Sequence, residues 1–253
     1  MKLSSFIGRW VMPVVLMAGS VLAQAADLAV LSAGAIEPGL KAAVGAFEKQ
    51  TGHHVNLTFN TAPELRKRMD GNEAFDVVIA PRAAIGEFAA ANKLAETRAI
   101  VGRVGMGVAV REGALVPDIS SAEALKQSVL TADGLVFNRA STGMYFEGLL
   151  KKMALYPQVE AKTTRYPDGA AVMEHIIQGK GSEIGFGAVT EILLYKDKGL
   201  RFVGPVPAEV QNYTTYAAAP LVVGQQQDAA QAFVSFLAGP VGKPLFEAAG
   251  ITD

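Results

Sequence analysis

The chain has 253 residues, a formal net charge of −1 and no cysteine. Without cysteine it forms no disulfide and carries no lipid-modified cysteine at a cleavage site. The near-neutral charge and the lack of basic runs argue against nucleic acid as a partner. Half of the residues are hydrophobic, which is typical of a well-packed globular protein with one large or two small domains.

The N-terminal segment 1–25 has the three parts of a secretory signal peptide. Two basic residues precede an apolar segment over 10–22, and an Ala-x-Ala cleavage pattern follows at 23–25. We expect cleavage before Ala26 or Asp27 and export to the periplasm. The alternative is an uncleaved anchor, but this apolar segment is short for a membrane span, and no later run approaches that length.

The first predicted unit of the mature chain is a strand, a small-residue turn, a helix and a second strand over 27–59. The strand at 28–31 leads into the turn at 32–35, and Pro38 suits the first turn of the helix that ends near Gly52. Such a turn presents free backbone N–H groups and the positive end of the helix dipole, which suit an anion. The alternative interpretation is that the small residues only let the helix pack on the sheet.

Strand and helix patterns continue to alternate along the rest of the chain. Strands are predicted at 75–80, 104–110, 135–137, 183–188, 200–203 and 216–223, and helices at 64–69, 83–94, from about 121, and at 144–153, 170–178, 190–197, 228–237 and 245–249. Sustained alternation of this kind predicts an α/β fold with largely parallel sheets.

The sequence contains none of the common catalytic or nucleotide-binding motifs: no G-x-S-x-G, no H-E-x-x-H, no P-loop, and no G-x-G-x-x-G after a strand. The three histidines lack the spacing of a metal site. We therefore expect a protein without catalytic residues, metal or cofactor. The alternative is an exported enzyme that uses Ser141 or Thr142 as a nucleophile, which requires a base nearby in space.

Small or polar loops follow several of the predicted strands, at 32–35, 60–62, 81–82, 138–143 and 187–190. In open α/β sheets, ligands bind beyond the carboxyl ends of the strands. Hydroxyl and backbone N–H groups form directional hydrogen bonds to an anion without a full counter-charge. These loops therefore predict an anion-binding cleft.

Several segments make the mature chain resemble the periplasmic molybdate-binding proteins of ABC importers, within the type II substrate-binding fold. The segments include AFDVVIAP, STGMYFEGLLKKMAL and SEIGFGAVTEI. The resemblance implies two lobes, 26–103 plus 213–253 and 104–212, each a mostly parallel sheet flanked by helices, with the ligand between them. It also implies a monomer that delivers a small anion to a membrane permease with its ATPase.

The ligand positions of the molybdate-binding family do not carry over cleanly to this chain. Two serines and a tyrosine of the family fall on Ala35, Ala62 and Ala188, and two further contacts fall on Thr142 and Ala170. The lost hydroxyls and phenol remove hydrogen-bond donors, each worth roughly 1.5–3 kcal/mol to a charged ligand. The smaller residues also enlarge the pocket.

The candidate ligand-binding residues combine these positions with polar neighbours in the same loops. They are Ser32, Gly34, Ala35, Asn60, Thr61, Ala62, Arg82, Arg139, Ser141, Thr142, Ala170 and Ala188. An arginine grips a carboxylate with two parallel hydrogen bonds, although both arginines are equally compatible with surface salt bridges. We therefore expect a molybdate- or tungstate-like oxyanion or a larger organic carboxylate. A third interpretation is the ligand-binding subunit of a sensor.

Overall fold

The computed structural model describes residues 25–71 and 73–253. The predicted signal peptide therefore lies, except for its last residue, outside the described part of the chain. Among the described helices, none has the length and apolar character needed to cross a membrane.

The described residues form strands and helices in near-regular alternation. The strands are β1 (Asp27–Ala33), β2 (His54–Asn60), β3 (Val77–Pro81), β4 (Ala99–Arg111), β5 (Gly134–Asn138), β6 (Thr163–Tyr166), β7 (Glu183–Ala188), β8 (Leu200–Pro205) and β9 (Tyr213–Pro220). The α-helices are α1 (Glu37–Thr51), α2 (Ala62–Asp70), α3 (Arg82–Ala90), α4 (Ala122–Thr131), α5 (Ser141–Lys152), α6 (Tyr156–Val159), α7 (Gly169–Gln178), α8 (Val189–Leu193), α9 (Gln227–Leu237) and α10 (Gly242–Ala248).

The strands are hydrogen-bonded in the order β2-β1-β3-β9-β4-β7-β5-β6, and β8 pairs with β4. Strand β1 is parallel to β2 and β3, and β5 is parallel to β6 and β7. The long strand β4 is antiparallel to β9 along its first half and to β7 and β8 along its second. The predicted α/β fold with two lobes and flanking helices is confirmed, and β4 and β9 add antiparallel pairs where the chain crosses between lobes.

The described residues form three buried hydrophobic clusters, of which the two largest contain packed phenylalanine rings. In the first, Phe47 of α1 packs edge-on against Phe233 and Phe236 of α9, with ring centroids 5.0 and 5.4 Å apart. In the second, Phe146 of α5 stacks on Phe186 of β7 at 3.8 Å. Each cluster buries the apolar face of helices against a sheet, which is the main source of stability in such layers. We propose that lobe I is 26–103 plus 213–253 and that lobe II is 104–212.

The parallel strands determine where the functional loops lie. The carboxyl ends of β1 and β2 lead into the loops around Gly34 and Thr61, and those of β5 and β6 lead into the loops around Ser141 and Gly169. Because parallel strands end at one edge of a sheet, the loops of each lobe cluster at that edge. The two loop clusters face each other across a cavity.

Candidate ligand-binding site

A cavity of about 320 Å³ lies between the two loop clusters and takes its walls from both lobes. Eight of the candidate residues lie on its wall: Gly34, Ala35, Asn60, Thr61, Ala62, Ser141, Thr142 and Ala170. The structure therefore brings together loops that are more than 130 positions apart in the sequence. A volume of this size is within the range of small-molecule sites.

The other four candidates lie off the wall. Ser32 is fully buried in β1, where its hydroxyl donates to the Ala33 carbonyl at 3.2 Å. Ala188 is buried at the end of β7. Arg82 and Arg139 are exposed and are not among the residues that line the cavity. Binding of a ligand carboxylate must therefore come from other groups in this conformation.

Four α-helices begin at the cavity wall. Helix α1 starts through the short 3-10 turn Gly34–Ile36, and α2, α5 and α7 start at Ala62, Ser141 and Gly169. The first turn of a helix has backbone N–H groups without intrahelical partners, and the helix dipole places a partial positive charge there. Both lobes thus direct hydrogen-bond donors at the same space.

The turn between β5 and α5 is fixed by Asn138, which is 2 % exposed. Its Oδ1 accepts hydrogen bonds from the N–H groups of Ala140 and Gly143 at 3.1 and 3.0 Å. A Cβ at position 143 would lie 1.8 Å from the Asn138 carbonyl oxygen, so the tight turn requires glycine there. This turn places Ser141 and Thr142 at the wall.

Asn60 is oriented by a charged neighbour behind the wall. Arg68 Nη1 donates to Asn60 Oδ1 at 2.9 Å, and the same guanidinium pairs with Glu73 at 2.6 Å. Because the amide oxygen of Asn60 is occupied, its NH₂ group is left as a donor for a ligand.

The described lining of the cavity contains no lysine and no arginine, but it contains four carboxylates: Glu37, Glu64, Asp168 and Glu191. The first two pair with Lys41 and Lys67 on their own helices. The third accepts a hydrogen bond from the Ala171 N–H at 2.9 Å and caps α7. Within residues 25–71 and 73–253, neither Asp168 nor Glu191 forms a salt bridge, and Glu191, like Asp168, accepts a backbone hydrogen bond, from Ala188.

Glu191 lies in the first turn of α8 and is half-buried in the cavity wall. A methyl group on Gly169 would lie 2.2 Å from Glu191 Oε2, and one on Gly34 would lie 3.6 Å from Oε1. The carboxyl group therefore rests against a glycine of its own lobe and faces a glycine of the other. At Gly169, any larger residue would displace this carboxyl group.

The surroundings of Glu191 hold the pKa of its carboxyl group at about 7, well above the ordinary value for glutamate. Burial has the largest effect, because it disfavours the charged form. A hydrogen bond from the backbone of Ala188 acts in the opposite direction, and the nearby charges of Asp168 and Glu37 raise the pKa further. At neutral pH the group is thus divided between its protonated and ionised forms.

Two phenols also line the cavity, from Tyr195 after α8 and from Tyr216 in β9. Burial raises the pKa of both hydroxyls, so they remain protonated donors at any physiological pH. The negative charge of Glu191 contributes to both shifts in pKa. Phenol groups therefore line the cavity, although alanine occupies position 188, where the molybdate-binding family has a tyrosine.

The sequence analysis missed Glu191, Tyr195, Tyr216 and Asp168. The predicted loop at 187–190 stopped one residue short of Glu191. A glutamate three residues after the end of a buried strand, at the start of a helix, was the available signal. Whether this glutamate reaches the cavity depends on the direction of its side chain, and the sequence alone does not supply that direction.

The alternative of a nucleophilic Ser141 or Thr142 finds no histidine base in the described residues. The His175 ring lies between the Tyr166 hydroxyl at 2.8 Å and Glu183 at 2.9 Å, within lobe II. None of these three side chains lines the cavity. Both hydroxyls lie on the cavity wall without a histidine beside them in the described residues.

Beside the cavity, a buried hydrogen bond connects α8 to the turn after β1. The Thr190 hydroxyl donates to the Ala35 carbonyl, and Thr190 is 1 % exposed. The bond exists only while α8 touches the turn after β1, so it stabilises that contact.

Replacing Thr190 with valine should favour separation of α8 from the turn after β1 by about 1–2 kcal/mol, since the Ala35 carbonyl then loses its buried partner. Small-angle X-ray scattering of the ligand-free protein should show a larger radius of gyration. Thr131→Val is the matched control, because the Thr131 hydroxyl bonds only within its own helix region. Equal radii for T190V and the wild type would contradict the assignment.

Comparison with known proteins identifies the class to which this fold and cavity belong. Residues 28–252 match the family described as bacterial extracellular solute-binding protein. The chain belongs to this family, and its fold is the type II fold that the sequence resemblance predicted.

Individual relatives differ in what their names state. The chain is 29% identical over 233 residues to a Pseudomonas protein named aconitate isomerase. The matched region covers 88% of this chain and 87% of that relative. The periplasmic molybdate-binding protein of Azotobacter vinelandii aligns with a TM-score of 0.73 at 16% identity, over 89% of this chain and 99% of that one. A tungstate ABC transporter protein of Geobacter sulfurreducens aligns with a TM-score of 0.69 at 15% identity, over 88% and 98%.

Proposed function

We propose that this protein is a monomeric periplasmic solute-binding protein that holds a small organic polycarboxylate between its lobes and delivers it to an ABC permease with its ATPase. The observation that carries the proposal is the cavity of about 320 Å³ at which α1, α2, α5 and α7 all begin. Their free N–H groups donate hydrogen bonds to an anion from both lobes. The described lining contains no lysine or arginine.

A polycarboxylate fits this arrangement better than a tetrahedral oxyanion for three reasons. The helix starts are spread over both lobes, so they suit carboxylates at separate ends of a molecule. Ala35 and Ala62 leave the wall recessed where the molybdate-binding family has serine. The protonated fraction of Glu191 donates a hydrogen bond to a carboxylate. The relative named aconitate isomerase supports an acid of this size and charge.

Titration calorimetry with the mature protein, residues 26–253, tests this proposal. The panel is molybdate, tungstate, sulfate, citrate, tricarballylate, and cis- and trans-aconitate. We expect binding of one or more tricarboxylates and a rise in the melting temperature with ligand concentration. Tight binding of molybdate or tungstate, without any carboxylate, would refute the assignment of the ligand.

A pair of threonine variants localises the binding. Thr142→Val removes a hydroxyl from the cavity wall and should weaken binding about tenfold. Thr164→Val removes an exposed hydroxyl from β6, outside the cavity, and should leave the affinity unchanged. Equal effects of the two substitutions would place the ligand elsewhere.

A second candidate function is isomerisation of the bound acid. Two observations favour it: a carboxyl group in the cavity without a counter-charge, and the relative named aconitate isomerase. Proton NMR of cis-aconitate incubated with the protein is the direct test. Appearance of the trans isomer above the rate in buffer supports the candidate, and an unchanged spectrum refutes it.

A further inference from the structure

We propose that Glu191 is a catalytic residue, which moves a proton between two carbon atoms of a bound unsaturated polycarboxylate and so shifts its double bond. This inference rests on the proposed function, because the substrate is held by the same helix starts. It assigns a residue and a proton-transfer step to the isomerisation given above as the second candidate function.

The position of Glu191 is the first argument. Its carboxyl group projects from lobe II to the wall shared with lobe I, against Gly169 and facing Gly34. Both glycines belong to helix starts that would hold the carboxylates of the substrate. A carbon atom between two such carboxylates therefore lies within reach of the Glu191 oxygens.

A helix cap explains only part of this arrangement. Glu191 is the third residue of α8, and a glutamate there commonly accepts a hydrogen bond from the backbone N–H just before the helix. Ala188 provides that bond. Glutamine serves equally well in such a cap, so capping does not require an ionisable group inside an anion site. Burying a carboxyl group without a counter-charge costs free energy. Ligand binding alone does not explain why an ionisable group occupies this position.

The chemistry needs only one base and no co-reactant. Ionised Glu191 takes a proton from the methylene carbon that lies between a carboxylate and the double bond. The C–H electron pair forms a new double bond to the central carbon, and the former π pair moves to the far carbon, where its carboxylate delocalises the charge. Protonated Glu191 then returns the proton to that far carbon. One proton has moved, and nothing has been oxidised or reduced.

The environment of Glu191 suits this role. The titratable groups that line the cavity with it include Asp168, Glu37, Tyr195 and Tyr216, and none of them is a cation. Burial, together with the charges of Asp168 and Glu37, keeps the pKa of Glu191 near neutrality, where a group works both as a base and as an acid. The helix starts that bind the substrate also stabilise the extra charge of the delocalised intermediate.

The decisive experiment compares wild type, Glu191→Gln and Glu123→Gln by proton NMR in D₂O. Each is given cis- or trans-aconitate, and isomerisation and exchange of the carbon-bound protons are followed together. Glu123 is the matched control, since it also lies in the first turn of a helix, α4, but is exposed and outside the cavity. Binding of tricarballylate, which has no double bond to shift, is measured by calorimetry on all three.

We expect E191Q to lose isomerisation and exchange by at least about 100-fold while E123Q keeps both. E191Q should still bind tricarballylate, and the wild-type rate should rise as the pH increases through about 7. Full activity in E191Q, or a wild-type protein that binds aconitate without exchanging its protons, would overturn the catalytic role. A wild-type protein that binds no polycarboxylate would instead overturn the proposed function.

Discussion

Replacing Asp76 with alanine is expected to lower the free energy of unfolding by about 4 kcal/mol. Asp76 is 6 % exposed, and its carboxylate accepts three backbone hydrogen bonds. They come from Ala29 at 2.9 Å, Gln225 at 2.8 Å and Gln226 at 3.0 Å. One carboxylate thus ties β1 to the loop before α9. Alanine leaves three partly buried N–H groups without a partner, and each costs roughly 1–3 kcal/mol.

Urea unfolding of Asp76→Ala and Asp76→Asn tests this expectation. Asparagine keeps one acceptor oxygen, so D76N should lose about half as much stability as D76A. Asp76 does not line the cavity. The affinity of the folded fraction for its ligand should therefore be unchanged in both variants. A loss of less than 1 kcal/mol in D76A would show that the loop before α9 finds other partners.

The sequence predicted the first unit of the fold because local signals there agree with one another. Pro38 lies in the first turn of α1, and Gly52 ends the helix with a φ of 75°, which glycine adopts without strain. The helix buries Leu40, Val44 and Phe47, whose spacing of i, i+4 and i+7 places them on one face. Signals of this kind act within a few residues and do not depend on the rest of the chain.

The predictions were weaker where tertiary pairing decides the structure. Strand β4 begins at Ala99, five residues before the predicted start, because its first half pairs with β9. Gly102, which interrupts the sequence pattern, sits at a register shift there with a φ of 148°. The short strand β6, Thr163–Tyr166, was not predicted; it is polar and is held mainly by its pairing with β5.

The loops of the site were predictable as a set, but the direction of each side chain was not. The rule that ligands bind beyond the carboxyl ends of strands located Thr61, Ser141 and Thr142. It did not separate Asn138, which is buried in the turn, from Arg139, which is exposed. Neighbouring residues at the end of a strand point to opposite faces, and only the position of the second lobe decides which face the ligand meets.

Between pH 5 and pH 8, wild-type protein should lose about 2–3 kcal/mol of unfolding free energy relative to Glu191→Gln. The pKa of Glu191 is about 7 in the folded protein, against an ordinary value of 4.5. Between these values the folded state binds more protons than the unfolded state, so stability falls as the pH rises. The contribution is fully present below the unfolded pKa and is lost above the folded one.

Only the difference between wild type and E191Q reports on this group. Salt bridges elsewhere act in the opposite direction; Lys151, for example, lowers the pKa of Glu147 and so favours stability at higher pH. Urea unfolding of both proteins at several pH values cancels these common effects. Parallel pH profiles would mean that Glu191 ionises normally in the cavity. A widening gap between pH 5 and pH 8 would mean that the folded cavity holds a proton, which the proposed transfer to carbon requires.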